Sequence, residues 1–137
     1  MILRKLLIVG LALVLCGKVF GQSNPVDHWE TVVYATDTWR YYVGQTSGPA
    51  AGWHLPGFDD GTWQSGQGGF GYGNDDYSTE LPAPPNPMSV FVRTSFTIQD
   101  TGDIALVLLN MDFDDGFVAW INGVEIARSN IGTAGDF

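Results

Sequence analysis

The chain has 137 residues, enough for one domain, and sets 15 acidic side chains against 6 basic ones, a formal charge of −9. Three of the basic residues (Arg4, Lys5 and Lys18) fall in an N-terminal leader, so three basic against 15 acidic residues leave −12 on the remainder. That charge repels phosphate backbones and anionic membrane surfaces, which argues against nucleic-acid binding, and the single cysteine, Cys16, leaves with the leader, which excludes a disulfide or thiolate site downstream.

The leader comes first. Arg4 and Lys5 form a positive n-region, residues 6–16 an apolar h-region broken only by Gly10, and Val19-Phe20-Gly21 suits cleavage before Gln22. Residues 1–21 therefore read as a secretory signal peptide, and the protein as secreted or displayed at the cell surface. The apolar run is shorter than the ~20 residues of a spanning helix, so no stable membrane insertion is expected after cleavage. A lipoprotein reading of Cys16 is disfavoured by the bulky Leu15 before it.

Beyond the leader the signals are those of short strands. Residues 29–34 (Trp-Glu-Thr-Val-Val-Tyr) and 38–43 (Thr-Trp-Arg-Tyr-Tyr-Val) predict two strands around a turn at Thr36-Asp37. Residues 45–52 predict a loop, and 53–63 a short helical turn or ordered loop that Asp59 or Asp60 caps. Residues 65–73 are glycine-dense, and residues 77–87, with Pro82, Pro84, Pro85 and Pro87, predict a second loop, without ladder hydrogen bonds. Residues 89–98 alternate and predict a strand, 100–103 a turn, and the continuous apolar run 104–111 a strand buried on both faces. Asp115-Gly116 and Asn122-Gly123 then predict tight turns joining three short strands over 112–128.

Six or seven short strands with Gly/Pro turns and no helix of three turns predict an all-β, antiparallel sandwich or barrel. A jelly roll usually has eight strands, and no closing strand follows Arg128. Residues 22–137 thus read as one sandwich domain lacking its last strands, a truncated chain or the opening module of a longer one, with a sheet edge left open.

Four motifs fall in a familiar order: Phe58-Asp-Asp-Gly-Thr-Trp63, Gly69-Phe-Gly-Tyr-Gly73, Val90-Phe-Val-Arg-Thr-Ser-Phe96, and the run from Asp114-Asp-Gly through Asn122-Gly to Arg128-Ser-Asn130. Together they resemble the galactose-binding-like jelly-roll family, over roughly residues 39–130. They are similar to N-terminal modules of exported bacterial multidomain proteins and to the sugar-binding domain of glycoside hydrolase family 2. The resemblance implies a non-catalytic accessory domain, often carbohydrate-binding through loops at one end of the sandwich and often holding a structural Ca2+. A fold of this kind is better evidence for architecture than for ligand.

The chemical candidates are few. Gly66-Gln-Gly-Gly-Phe-Gly71 satisfies G-x-G-x-x-G, but no helix start follows it, so it reads as a packing loop and not a dinucleotide site. Asp112, Asp114 and Asp115 put three carboxylates within four residues, candidate ligands for a Ca2+ ion that wants six to eight oxygens, although none matches the EF-hand spacing and Asp is also ordinary turn chemistry. No carboxylate pair is singled out for glycoside hydrolysis. His28 and His54 accompany no nucleophile elbow, so no catalytic residue is expected. Trp39, Trp63 and Trp120 read as core. Trp53, Tyr72 and Tyr77 sit in loop-like segments near Asn74, Asp75 and Asp76. There a ring can stack on a pyranose while the polar groups bond its hydroxyls. The expected function is carbohydrate binding by these six residues. The alternatives are a spacer that orients C-terminal domains of the same polypeptide, or a fragment of a secreted hydrolase whose active site lies downstream.

Overall fold

The computed structural model describes residues 26–73, 76–82 and 89–133. They form seven short strands: β1 (Thr38–Gly44), β2 (Gln64–Gln67), β3 (Phe70–Gly71), β4 (Thr79–Glu80), β5 (Ser89–Arg93), β6 (Phe117–Ile121) and β7 (Val124–Ser129). Among the described residues helix is confined to one 3-10 turn, Thr101–Asp103, where Gly102 N donates to the capping Asp100 Oδ1 at 2.8 Å. The expected all-β class therefore holds. The strands make three small sheets, ordered β2-β1-β5, β3-β4 and β6-β7.

β1 is the centre. Its aromatic and β-branched residues suit a pleated surface, and it pairs antiparallel with β2 on one edge and β5 on the other. Successive side chains of a strand point to opposite faces. On one face Tyr41 is buried, tilts against Phe70 with ring centroids 5.1 Å apart, and donates its hydroxyl to Gln64 Oε1 at 2.5 Å. This face carries β3 and β4. Their approach depends on Gly66, where a Cβ would lie 2.6 Å from Thr79 Oγ1, and that hydroxyl donates to Gln67 O, also at 2.6 Å. On the other face Tyr42 meets Trp63 and Phe91, at 5.7 and 6.2 Å between centroids. Tyr41, Trp63 and Leu81 are the buried apolar residues, so the core straddles this central sheet.

β6 and β7 form the expected hairpin. Asn122 (φ 50°) and Gly123 (φ 82°) both take positive φ, the geometry of a type I′ turn. The register shifts between Ala119 and Trp120, an irregularity that re-aims the following side chain.

Elsewhere the structure departs from the sequence expectations. Residues 29–34 are not a strand, and Trp29, Val32 and Tyr34 are exposed. β1 pairs with β2 and β5, and no described strand includes these residues. The turn that follows is present, with Asp37 N donating to Tyr34 O at 3.0 Å and Tyr34 N to Asp37 Oδ2 at 2.8 Å. The glycine-dense segment supplies β2 and β3 where a loop was expected, because main-chain pairing asks nothing of the side chains. β4 falls within 77–87, where a loop without ladder hydrogen bonds was expected, and it runs parallel to β3, against an expected antiparallel arrangement. Thr79 N donates to Gly69 O and Leu81 N to Gly71 O, the stepped pattern of a parallel pair. The strand expected over 89–98 ends at Arg93. Residues 104–111 and 112–116 belong to no strand, and 104–111 are exposed where burial on both faces was expected. A run apolar on both faces needs a covering layer on each side, and the described sheets provide neither.

Candidate functional site

The expected binding residues divide between the two faces of the central sheet. Tyr72 and Tyr77 follow β3 and precede β4. Tyr72 is 45% exposed, while Tyr77 is half-buried and packs over Gly71, where a Cβ would meet its Cδ1 at 3.1 Å. Ser78 N and Thr79 N both donate to Gly69 O, at 2.8 and 2.9 Å, and close the base of this loop. Asp76 is exposed beside Tyr77; Asn74 and Asp75 lie outside the described residues.

Trp53 belongs to the opposite face. Its ring meets Phe91 and Trp120 edge-on, each at 5.1 Å, and Trp63 at 6.3 Å, while His54 tilts against Trp120 at 5.7 Å. The expected core role thus holds for Trp63, which is buried, and Trp120 joins the same cluster half-buried. Trp53 was grouped with the loop tyrosines by sequence proximity to polar residues, and its ring is instead occupied by aromatic neighbours. Its main-chain oxygen accepts from Arg93 Nη1, which also reaches Leu55 O at 3.3 Å. The structure therefore brings Tyr72, Asp76 and Tyr77 into one loop and sets Trp53 apart from them.

The acidic residues serve turns. Asp115 N donates to Asp114 Oδ1 at 2.9 Å, Gly116 N to Asp114 O at 3.0 Å, and Asn130 Nδ2 to Asp115 O at 2.9 Å. Asp59 Oδ1 accepts from Gly61 N at 3.0 Å. Asp115 takes φ 64°, which Asp tolerates through local hydrogen bonding. Among the described residues no group of three or more His, Cys, Asp or Glu side chains converges as a cation requires, and Asp112 joins Asp114 and Asp115 in no such group.

Two charged pairs have displaced titrations. Arg128 grips Glu125 with Nε to Oε1 at 2.8 Å and Nη2 to Oε2 at 2.9 Å, and these hydrogen bonds hold the carboxyl below its ordinary range. At the surface, Asp27 Oδ1 lies 2.7 Å from His28 Nδ1, which raises the imidazole and lowers the carboxyl.

One feature escaped the sequence reading. Gln45, Thr46, Ser47 and Ser89 line a cavity of about 170 Å3 against the Phe91 ring. Two glycines, Gly44 and Gly48, lie along that ring, with Cβ positions 2.9 and 3.4 Å from it. The lining is neutral, carries hydroxyls and an amide, and has one aromatic wall. A loop rich in Gly and Ser shows no such signal, because Phe91 is supplied from β5. Among the described residues no helix is long and apolar enough to cross a membrane. No protein-family model, curated protein or solved structure matches the chain.

Proposed function

We propose that the chain is a non-catalytic accessory module of a secreted or cell-surface protein, a jelly roll of galactose-binding-like type that binds carbohydrate. The observation that supports this reading is Tyr72, an exposed ring on a loop whose base is closed by main-chain hydrogen bonds. A pyranose presents an apolar C–H face that stacks on such a ring, and a neighbouring carboxylate bonds its hydroxyls. Tyr72 is the stacking platform, Tyr77 its support through Gly71, and Asp76 with Asn74 and Asp75 the polar contacts. Trp53 contributes by holding the opposite face. Electrophoresis of the chain in gels carrying soluble polysaccharides tests this. Retardation by at least one polysaccharide, lost in Tyr72→Ala, is expected; unchanged mobility across a broad panel removes the reading.

A second reading has its own observation. Residues 104–111 expose apolar side chains on both faces, which favours an interaction module that orients further domains of its polypeptide or another chain. Both readings hold if the sugar loop and the apolar run act separately.

A further inference from the structure

We infer that residues 104–111 accept an extended apolar strand whose ends carry Lys or Arg, an inference that rests on the interaction reading above. Leu106 and Leu108 are 55% and 67% exposed, and Val107 and Leu109 are 63% and 48% exposed. Odd and even positions are thus uncovered alike, and a surface-facing strand would hide one set. Apolar area of this kind stabilises a complex once removed from water.

The occupant follows from charge and from the tether. Asp100 and Asp103 precede the run, and Asp112, Asp114 and Asp115 follow it; all five are exposed. No Lys or Arg lies between Arg93 and Arg128. A second copy laid antiparallel on this run would set carboxylates against carboxylates at both ends, and like charges across strands destabilise pairing. An anionic lipid surface is repelled for the same reason. A strand with basic ends meets opposite charge at both. The far end of the run is anchored, since Phe113 packs edge-on against Phe117 of β6 with centroids 4.7 Å apart. The run is therefore held beside the β6–β7 hairpin while its backbone contributes to no sheet. Strand addition supplies main-chain hydrogen bonds for affinity and side-chain pockets for specificity.

Hydrogen exchange of the purified chain, read over 104–111, tests the inference with two synthetic peptides. Each has three Val-Thr repeats, flanked in one by paired lysines and in the other by paired glutamates. The free chain should exchange rapidly over the run. The lysine peptide, at about ten times its dissociation constant, should slow that exchange roughly tenfold, and the glutamate peptide should not. The double variant Asp103→Lys/Asp112→Lys takes the five flanking charges from −5 to −1 and should remove most of the preference for the lysine peptide, while unchanged protection of the β1 amides shows that the fold is kept. Equal protection by both peptides, or by neither, overturns the inference while fast exchange in the free chain leaves the interaction reading standing. Protection that grows with chain concentration assigns the run to a second copy and also overturns it. Protection in the free chain at every concentration removes the interaction reading itself.

Discussion

Arg93 on β5 reaches Asp60 with Nε 2.9 Å from Oδ2, and this pair ties the loop before Trp63 to the central sheet. Both side chains are mostly shielded, at 19% and 29% exposure. The guanidinium also lies over the Phe58 ring, 5.3 Å from its centroid, and bonds the main-chain oxygens of Trp53 and Leu55. One side chain therefore fixes the loop by charge, by main-chain capture and by stacking. Arg93→Ala leaves Asp60 without its cation and two carbonyls without a donor. It should cost about 2–3 kcal/mol in denaturant unfolding. Arg93→Lys should recover only part, because an ammonium lacks the planar fork. An unchanged unfolding midpoint in Arg93→Ala would show that the loop is held by its aromatics alone.

Gly66 makes a second, independent prediction. A methyl there would sit inside the contact distance of Thr79 Oγ1 and displace the hydroxyl that bonds Gln67 O. Gly66→Ala should lower stability by about 1–3 kcal/mol, the usual cost of overpacking. Adding Thr79→Gly should return part of the loss, since the second change vacates the space the first one needs. Melting temperatures of the two single variants and the double variant check this. Simple additivity would mean that β4 does not bear on Gly66.

The residues that sequence reading placed correctly are those whose signal is local. Asn122-Gly123 dictates positive φ at two adjacent positions, and no distant residue is needed to fold the hairpin around it. The aromatic and β-branched residues of 38–43 specify β1 in the same way. What stayed hidden depends on partners far along the chain. Gln64–Gln67 becomes a strand because β1 offers an edge, while residues 29–34, β-prone by composition, pair with no described strand. The parallel course of β3 and β4 is set by carbonyls of Gly69 and Gly71, which carry no side-chain signature. Trp53 carries the sequence signature of a loop aromatic, and its core role depends on Phe91 from β5 and Trp120 from β6, which join Trp63 at the end of its own segment.

The split between Tyr72 and Trp53 separates binding from stability. Tyr72→Ala removes an exposed ring and should leave the melting temperature nearly unchanged while abolishing retardation by polysaccharide. Trp53→Ala removes the ring at the centre of the aromatic cluster and should cost on the order of 3 kcal/mol. Under conditions where it remains folded, sugar retardation should persist. Loss of binding in folded Trp53→Ala, with Tyr72→Ala unaffected, would move the platform to the other face.

Acid should loosen the end of β7 only below the ordinary carboxyl range. Glu125 is held below the ordinary carboxyl range by hydrogen bonds from Arg128, reinforced by its charge. A group whose folded pKa is depressed stabilises the fold above its unfolded value and loses that contribution as pH falls through the folded one. Arg128 also donates from Nη1 to Ile131 O at 3.0 Å, so protonating Glu125 loosens the support of the segment beyond the strand. Amide exchange at residues 128–131 should therefore rise as pH drops through the acid end of the carboxylate range, after correction for intrinsic rates. Glu125→Gln should show the faster exchange already at neutral pH and no acid step. His28 behaves in the opposite sense. Asp27, and then Glu30, raise its imidazole, so its contribution is complete below the ordinary histidine range and fades as pH climbs through the raised value. The group is fully solvated and solvent screens the pair, so the change in melting temperature should be small. The position of the titration is the sensitive readout. In an NMR titration His28 should have its midpoint above the ordinary histidine value, and Asp27→Asn should bring it down. A midpoint that Asp27→Asn does not move would show that the Asp27 contact does not persist in solution.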